Sequence, residues 1–312
     1  MEPINIFKAL SDETRLRILS LLRRNELSVN EIVCILDMGQ SRVSRHLKIL
    51  TDAGLLSFRK EGLWVFYKME STGLWGGICG PVFDSLGPAS MLMEDSAKLN
   101  GFLQGRSEQK REYFNSIAHE WESIRKLMLG DLDLNSSIVG QLSGRGTANA
   151  ENTVAADLGC GSGGLCVKLL SRAGRVIGVD RSPAMLEQAR GLLAGHNGAI
   201  DLRLGELEHL PMRDSEADIV VISMVLHYLD EQQQAVDEAA RVLRPGGTLL
   251  IAELDTHGNE EMRSIYGHRR LGFSKETVAG WMTRAGLVLK SQKSYKAGEG
   301  LTAVIYMAVK AP

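Results

Sequence analysis

Apolar positions at helical spacing run from Ile4 to Leu10 and recur at Leu16, Leu19, Leu21 and Leu22, which predicts two short helices, the second opening at Ser11. Ser28 and Glu31 have the S-x-x-E spacing of a capping box, so a third helix is expected over Val29 to Leu36. The turn Asp37-Met38-Gly39 stops it. Val43, Leu47 and Leu50 then mark a fourth helix from Gln40 to Ala53, and two helices joined through a three-residue turn containing Gly form a helix-turn-helix. After Gly54, Leu56 to Arg59 and Trp64 to Lys68 alternate around Glu61-Gly62, which predicts a two-stranded wing.

Residues 73 to 88 are rich in Gly and Pro and break the pattern. A longer helical stretch is expected from Met91 to Met128. Its stripe Phe114, Ile117, Trp121, Ile124 and Met128 reads as core packing rather than ligand contact. The polar run Ser143 to Thr153 is a linker. Beyond it, strand-like segments alternate with helices: Val154 to Leu158, Val176 to Asp180, Ile200 to Leu204, Asp218 to Ser223 and Thr248 to Glu253. Alternating β and α units predict a doubly wound parallel sheet. Leu287 to Tyr295 and Thr302 to Lys310, joined by Ala297-Gly298-Glu299-Gly300, predict a closing antiparallel hairpin. The expected organisation is 1–72, 73–130 and 131–312.

At 312 residues, 44% hydrophobic and 24% charged, the chain suits a two-domain globular protein and excludes disordered and membrane-spanning classes. The start Met1-Glu2-Pro3 lacks the basic and apolar regions of a signal peptide, so a cytoplasmic location is expected. Cys34, Cys79, Cys160 and Cys166 form no CxxC pair or disulfide framework and read mostly as small core residues. Net charge is −2 but uneven. Residues 1 to 68 hold eleven Lys/Arg against eight Asp/Glu, and between Gln40 and Lys60 the bias sharpens to Arg42, Arg45, Lys48, Arg59 and Lys60 against Asp52 alone. A basic stripe on a helix-turn-helix and its wing is the footprint of a double-stranded DNA contact.

A different chemistry is written at Asp157-Leu158-Gly159-Cys160-Gly161-Ser162-Gly163-Gly164. Gly159, Gly161 and Gly164 fit GxGxxG, a weak signal alone. Asp157, two residues before the first Gly, repels a pyrophosphate and favours a cationic ligand such as S-adenosylmethionine (SAM). Asp180 ends the next strand, placed for a ribose of either cofactor class. Together with EYFNSIAHEW (112–121), VIGVDRSPAML (176–186), GELEHLP (205–211), SMVLHYLD (223–230) and RVLRPGGTLLIAE (241–253), this region resembles the class I SAM-dependent methyltransferases. The resemblance implies that Asp157, Gly159 and Gly161 face the methionine part, Asp180 the ribose, and Glu206 with Leu207 the adenine. Cys160, Arg181 and Ser223 belong to the same expected set. Glu206 departs from the Asp usual at its place.

Likewise FKALSDETRLRILSLL (7–22) with QSRVSRHLKILTDAGLL (40–56) resembles the winged-helix ArsR/SmtB repressors. That implies a recognition helix offering Gln40, Ser41, Arg42, Ser44, Arg45 and His46 to the major groove, with Arg59 and Lys60 at the wing, and a homodimer on a palindromic operator. Ser28 and Asn30 stand where metal-sensing members carry Cys-x-Cys. Cys34 alone, read as a buried hydrophobe, implies no metal site.

The fold class expected is therefore α/β: a winged helix-turn-helix, a helical linker, and a doubly wound, Rossmann-like methyltransferase domain with an antiparallel edge hairpin. The function expected is transcriptional regulation, with SAM or S-adenosylhomocysteine (SAH) coupled to operator binding. The alternative is a working methyltransferase on a small molecule or arsenical whose winged helix autoregulates its operon. Methyl transfer needs chiefly proximity and orientation, so the motif does not certify activity. His227, Asp255 and His257 are candidate bases, each also readable as a loop-end or solvated residue. Asp255, His257, Glu260, Glu261, Arg263, His268 and Arg269 read either as an acceptor pocket or as a charged surface loop. No NPPY-type segment or Pro-Cys pair is present, which disfavours DNA bases as acceptors, and arsenic methylation would need a thiolate cluster where only Cys160 and Cys166 lie near.

Overall fold

A computed structural model describes residues 3–61, 64–70, 72–86, 90–142, 150–196 and 198–312. Gly62 of the expected Glu61-Gly62 turn and most of the 143–153 linker lie outside the described residues. Contacts gather into two compact units, Met1–Gln109 and Lys110–Pro312, so the helical stretch expected as a separate part is shared between them.

The first unit opens with α1 (Pro3–Leu10) and α2 (Glu13–Leu22). Asp12, not Ser11, caps α2, accepting the Arg15 N–H at 3.0 Å; the Ser11 hydroxyl instead donates to the Lys8 carbonyl at the end of α1. β1 (Leu27–Ser28) leads into α3 (Val29–Leu36), and both halves of the Ser28/Glu31 capping box are formed. Asp37 turns left-handed (φ 52°), and α4 (Gln40–Asp52) follows. Gly54 (φ 63°) and the Leu55 N–H to Leu50 carbonyl bond close α4 in a Schellman turn. β2 (Leu56–Glu61) and β3 (Trp64–Met69) form the wing, with β1 on the other side of β3. Ile18, Leu22, Leu27, Ile32, Leu47, Leu50 and Leu55 fill the core, each fully buried and contributing about 1.5–3 kcal/mol.

The expected break at 73–88 is overturned. Gly73–Leu86 is a helix, α5, with Pro81 inside it. Interior Gly and Pro cost roughly 1 and 3 kcal/mol in a helix, but Trp75 and Phe83 are buried in the core with their rings edge to face, and Ile78 and Val82 pack beside them. Burial outweighs propensity. The stretch expected as one helix from 91 to 128 is two, α6 (Ser90–Ile117) and α7 (Trp121–Leu129), separated by a turn in which the Glu120 N–H bonds the Ile117 carbonyl. α6 begins in the first unit and its last turns belong to the second.

The second unit continues with α8 (Leu134–Gln141), β4 (Val154–Leu158), α9 (Gly164–Leu169), β5 (Arg175–Asp180), α10 (Pro183–Leu193), β6 (Ile200–Leu204), β7 (Ala217–Ser223), α11 (Gln232–Val242), β8 (Leu243–Leu254), α12 (Glu261–Ser264), α13 (Lys275–Arg284), β9 (Leu287–Lys296) and β10 (Thr302–Lys310). The sheet order is β6-β5-β4-β7-β8-β10-β9. β4 to β8 pair in parallel and β10 runs antiparallel to both neighbours, as the tail pattern predicts. Alternate residues feed two cores. Ile219 and Val221 pack with α7 to α10, and Val220 and Ile222 with α11 and α13. Chain order reverses between β4 and β7, where an open α/β sheet forms a ligand crevice at its strand ends. Among the described residues no helix is long and apolar enough to cross a membrane.

Candidate functional site

At that switch point lies a crevice in two lobes. The larger, about 590 Å³, is lined by Phe114, Trp121, Gly159, Gly161, Asp180, Arg181, Met185, Glu206, Leu207, Glu208, Met224, Val225, Tyr228 and Leu229. The smaller, about 410 Å³, is polar, with Glu122, Arg125, Asn135, Asp157, Cys160, Ser162 and Ser223. Trp121, Gly159, Gly161, Met224 and Val225 belong to both. The structure thus brings together all nine residues expected at the cofactor: Asp157, Gly159, Cys160, Gly161, Asp180, Arg181, Glu206, Leu207 and Ser223.

The loop after β4 can take this path only with glycine. Gly159 has φ +80°, and a Cβ there would stand 2.4 Å from Val225 Cγ2; at Gly161 (φ +52°) it would stand 3.3 Å from Trp121 Nε1. Asp180 fastens the loop, accepting the Gly161 N–H at 2.9 Å and the Ser182 N–H at 2.8 Å. Burial pushes its carboxyl up and these N–H bonds oppose the shift. Glu206, half-exposed, reaches Arg181 at 3.5 Å, and burial raises neighbouring Glu208.

Asp157 carries a large electrostatic signal. Its side chain is buried and receives a 3.4 Å hydrogen bond from the Cys166 thiol. Burial pushes its carboxyl up to about 7, with the thiol and Arg125 opposing. That corresponds to roughly 4 kcal/mol against the charged form. A cation entering the polar lobe would relieve it. A polar lobe with an under-solvated acid beside a wider apolar lobe with Asp180 and Glu206 at its edge fits a ligand with an ammonium at one end and a nucleoside at the other. The Asp157 carboxyl, buried at the same loop, would repel a pyrophosphate there when charged.

The aromatic stripe is corrected by these contacts. Met128 is core, but Phe114 and Trp121 are crevice walls, edge to face with each other and, through Phe114, with Tyr228 at 4.8 Å. Sequence reasoning also missed Glu122, which accepts from the Ser162 hydroxyl at 2.5 Å, and Arg125, which donates to Asn135. Periodicity cannot separate a crevice wall from a core stripe. Of the candidate bases, Asp255 and His257 sit half-buried after β8, whereas His227 is wholly buried against Glu253 at 2.8 Å and is no solvated loop end. His268 is buried too, and the side chains of Arg263 and Arg269 are mostly covered, so residues 255–272 are not simply a charged surface loop.

On the first unit, α4 buries Val43, Leu47 and Leu50 and exposes Gln40, Ser41, Arg42, Ser44 and Arg45. His46 instead turns inward, 3.7 Å from Asp12, and burial lowers its pKa, which leaves the ring without charge at neutral pH. Arg59 departs from expectation as well. It forks onto Glu26 at 2.9 and 3.0 Å and stacks 4.3 Å above the Phe66 ring, its cross-strand partner, so its charge is neutralised within the unit. Lys60 is exposed. Cys34 is exposed rather than buried, because α3 turns Ile32, Ile35 and Leu36 to the core and leaves position 34 outside. Among the described residues no three His, Cys, Asp or Glu side chains gather as a metal set.

Residues 12–57 match the family described as bacterial regulatory protein, arsR family, and residues 156–251 the family described as methyltransferase domain. The arsenical resistance operon repressor of Escherichia coli (strain K12) is 48% identical over 69 residues, 22% of this chain and 59% of that protein. The arsenite methyltransferase of Halobacterium salinarum is 36% identical over 111 residues, 34% of this chain and 28% of that protein. The chain therefore spans less than two thirds of the length of either relative. Among solved structures, that of the [4+2]-cyclase SpnF superposes with a TM-score of 0.55 at 16% identity, over 66% of this chain and 96% of that one. The likeness is one of fold alone, and a fold does not define a reaction.

Proposed function

We propose that this chain, which joins an ArsR-family winged helix to a class I methyltransferase domain, is a transcriptional regulator that binds SAM or SAH in the Asp157 to Asp180 crevice and couples it to operator binding. The observation that carries the coupling is the composition of α6. In the first unit its Asp95 pairs with Arg17 of α2 through two bonds of 2.6 and 2.7 Å, and its Arg106 pairs with Glu31, the α3 capping residue, at 2.8 Å. In the second unit its Phe114 walls the crevice, Asn115 accepts from the Ser182 hydroxyl at 2.7 Å, and Lys110 pairs with Asp230 at 3.0 Å. One helix thus holds residues of the helix-turn-helix and residues of the ligand site.

The regulator acts as a cytoplasmic homodimer on a palindromic operator, Gln40, Ser41, Arg42, Ser44 and Arg45 reading the major groove and Lys60 contacting backbone. The ligand must favour one geometry of the dimer over another, and a preference of about 1–3 kcal/mol suffices. Fluorescence anisotropy on the DNA upstream of its own gene, titrated with SAM and with SAH at fixed salt, tests this. A shift with either ligand is expected, and Asp157→Ala with Asp180→Ala should keep DNA binding and lose the shift. Identical DNA affinity with and without both ligands would sink the sensor.

A second reading, catalytic methyl transfer to a small molecule, is favoured by one observation: the buried pairing of His227 with Glu253 beside Tyr228 of the crevice wall. Transfer from isotope-labelled SAM tests it.

A further inference from the structure

Next to the crevice, four buried polar atoms gather without a hydrogen-bond partner among the described residues. Glu253, near the end of β8, is fully buried. Its Oε1 accepts the N–H groups of Val225 and Leu226 at 3.0 and 2.7 Å; its Oε2 accepts that of Leu254 at 3.2 Å and lies 2.8 Å from His227 Nδ1. Three peptide donors make this carboxylate an acceptor, so His227 donates through Nδ1 and keeps a lone pair on Nε2. Among the described residues that Nε2 has no partner, nor have either nitrogen of His268 or the Tyr228 hydroxyl, although these residues are 0%, 1% and 6% exposed. The His268 ring stacks on His227 at 4.0 Å, and the Tyr228 ring lies 4.2 Å from His227 and 5.0 Å from His268. Buried polar groups are nearly always hydrogen-bonded, and a knot of exceptions beside a crevice points to a polar ligand group.

We propose that His227 Nε2 is the proton acceptor for a phenolic methyl acceptor, with Glu253 as positioning residue and Tyr228 and His268 completing the subsite. The proposal rests on reading the crevice as a methyl-donor site. A base is needed where the acceptor holds its proton at neutral pH, which a phenol at about 10 does and a carboxylate does not. Phe114, Trp121 and Tyr228, packed edge to face, offer its ring an aromatic lining in which it can stack on one face and meet the edge of another. In the transfer the phenol oxygen bonds the methyl carbon, the carbon–sulfur bond breaks with its pair left on sulfur, and the phenol proton passes to Nε2. The positive charge moves from sulfonium to imidazolium, where Glu253 meets it through Nδ1. His268 remains neutral throughout, since burial first, and then His227 and His257, hold it far below the ordinary histidine range. The Tyr228 hydroxyl, kept protonated by burial, is left as a donor to the acceptor oxygen.

The test uses the full chain with labelled SAM and three phenols, 4-nitrophenol, phenol and 4-methoxyphenol, at mildly alkaline pH. Wild type should methylate all three. His227→Gln should retain 4-nitrophenol, already ionised in solution, and lose the other two by about 10²–10⁴-fold; an equal loss across the series overturns the base. Independently of how any variant folds, ¹⁵N-histidine NMR of the wild type with SAH should show His227 as the Nδ1–H tautomer, with an Nε2 resonance that moves on adding 4-methoxyphenol. An unmoved resonance, or no phenol methylated, overturns the proposal while leaving SAH binding intact. Failure of SAH itself to bind would overturn the crevice reading instead.

Discussion

The exposed face of α4 and the crevice beside β4 use polar residues in opposite ways. On α4, Gln40, Ser41, Arg42, Ser44 and Arg45 stand in solvent, where charge costs little and acts over a Debye length. In the crevice Asp157, and beside it His227 and Glu253, are stripped of water, and each is incompletely satisfied or held by a few fixed partners. The first arrangement suits a polyanion met at a surface, with affinity that falls as salt rises. The second suits a small ligand that must supply the missing partners itself, with affinity governed by fit and protonation. What separates them is solvent, not residue type.

The sharpest way to break that contrast is Gly159→Val. With φ +80° and no room for a Cβ, the variant should lose SAH affinity by at least about 100-fold in calorimetry while its ligand-free DNA affinity stays unchanged. If SAH still binds normally, the crevice is not its site. Next in size, Arg42→Ala with Arg45→Ala should lower the slope of log affinity against log salt by about 2 and weaken DNA binding, leaving SAH binding untouched. A slope that does not move would remove α4 from the interface.

The protonation side of the contrast is tested by pH. Asp157 in the free protein titrates near 7, and an ammonium ligand requires its charged form, so the carboxyl must lose a proton on binding as pH falls below that value. SAH affinity should therefore drop on acidification, approaching tenfold per pH unit, with Asp180 and Glu208 shifted in the same direction. Asp157→Asn should bind weakly and much more evenly across pH 5 to 8; an unchanged pH profile in that variant would shift the role to another acid. The smallest effect expected is at Arg59. Its alanine variant loses the fork to Glu26, so thermal melting should register a loss of about 1 kcal/mol while the salt slope of DNA binding is unaffected. A slope lowered by one would restore Arg59 to the phosphate contacts.

Elements built from strong local signals were legible from residues alone. The Ser28/Glu31 box, the Asp37-Met38-Gly39 turn and the strands Val154–Leu158, Ile200–Leu204 and Thr302–Lys310 lie where periodicity and caps place them. The misreadings share one cause. α5 was expected as a break because its Gly and Pro disfavour a helix, and only the burial of Trp75 and Phe83 overrides them. Phe114 and Trp121 looked like core because a 3.6-residue period reports which face is apolar, not what that face meets. Arg59 looked like a wing-tip cation because Glu26 is 33 residues away in the chain.

The chain by itself determined its two families of local structure: the capped helices and wing of one unit, the alternating strands and glycine loop of the other, and the acids at positions 157 and 180. Those follow from backbone sterics and period, which act over a few residues. Tertiary structure alone decided that Asp157 is dry enough to titrate near 7, that His227 lies sealed against Glu253 and His268, and that Phe114 and Trp121 face a ligand space. Desolvation and partnership are properties of what surrounds a side chain in space, and those neighbours come from segments that sequence order keeps far apart.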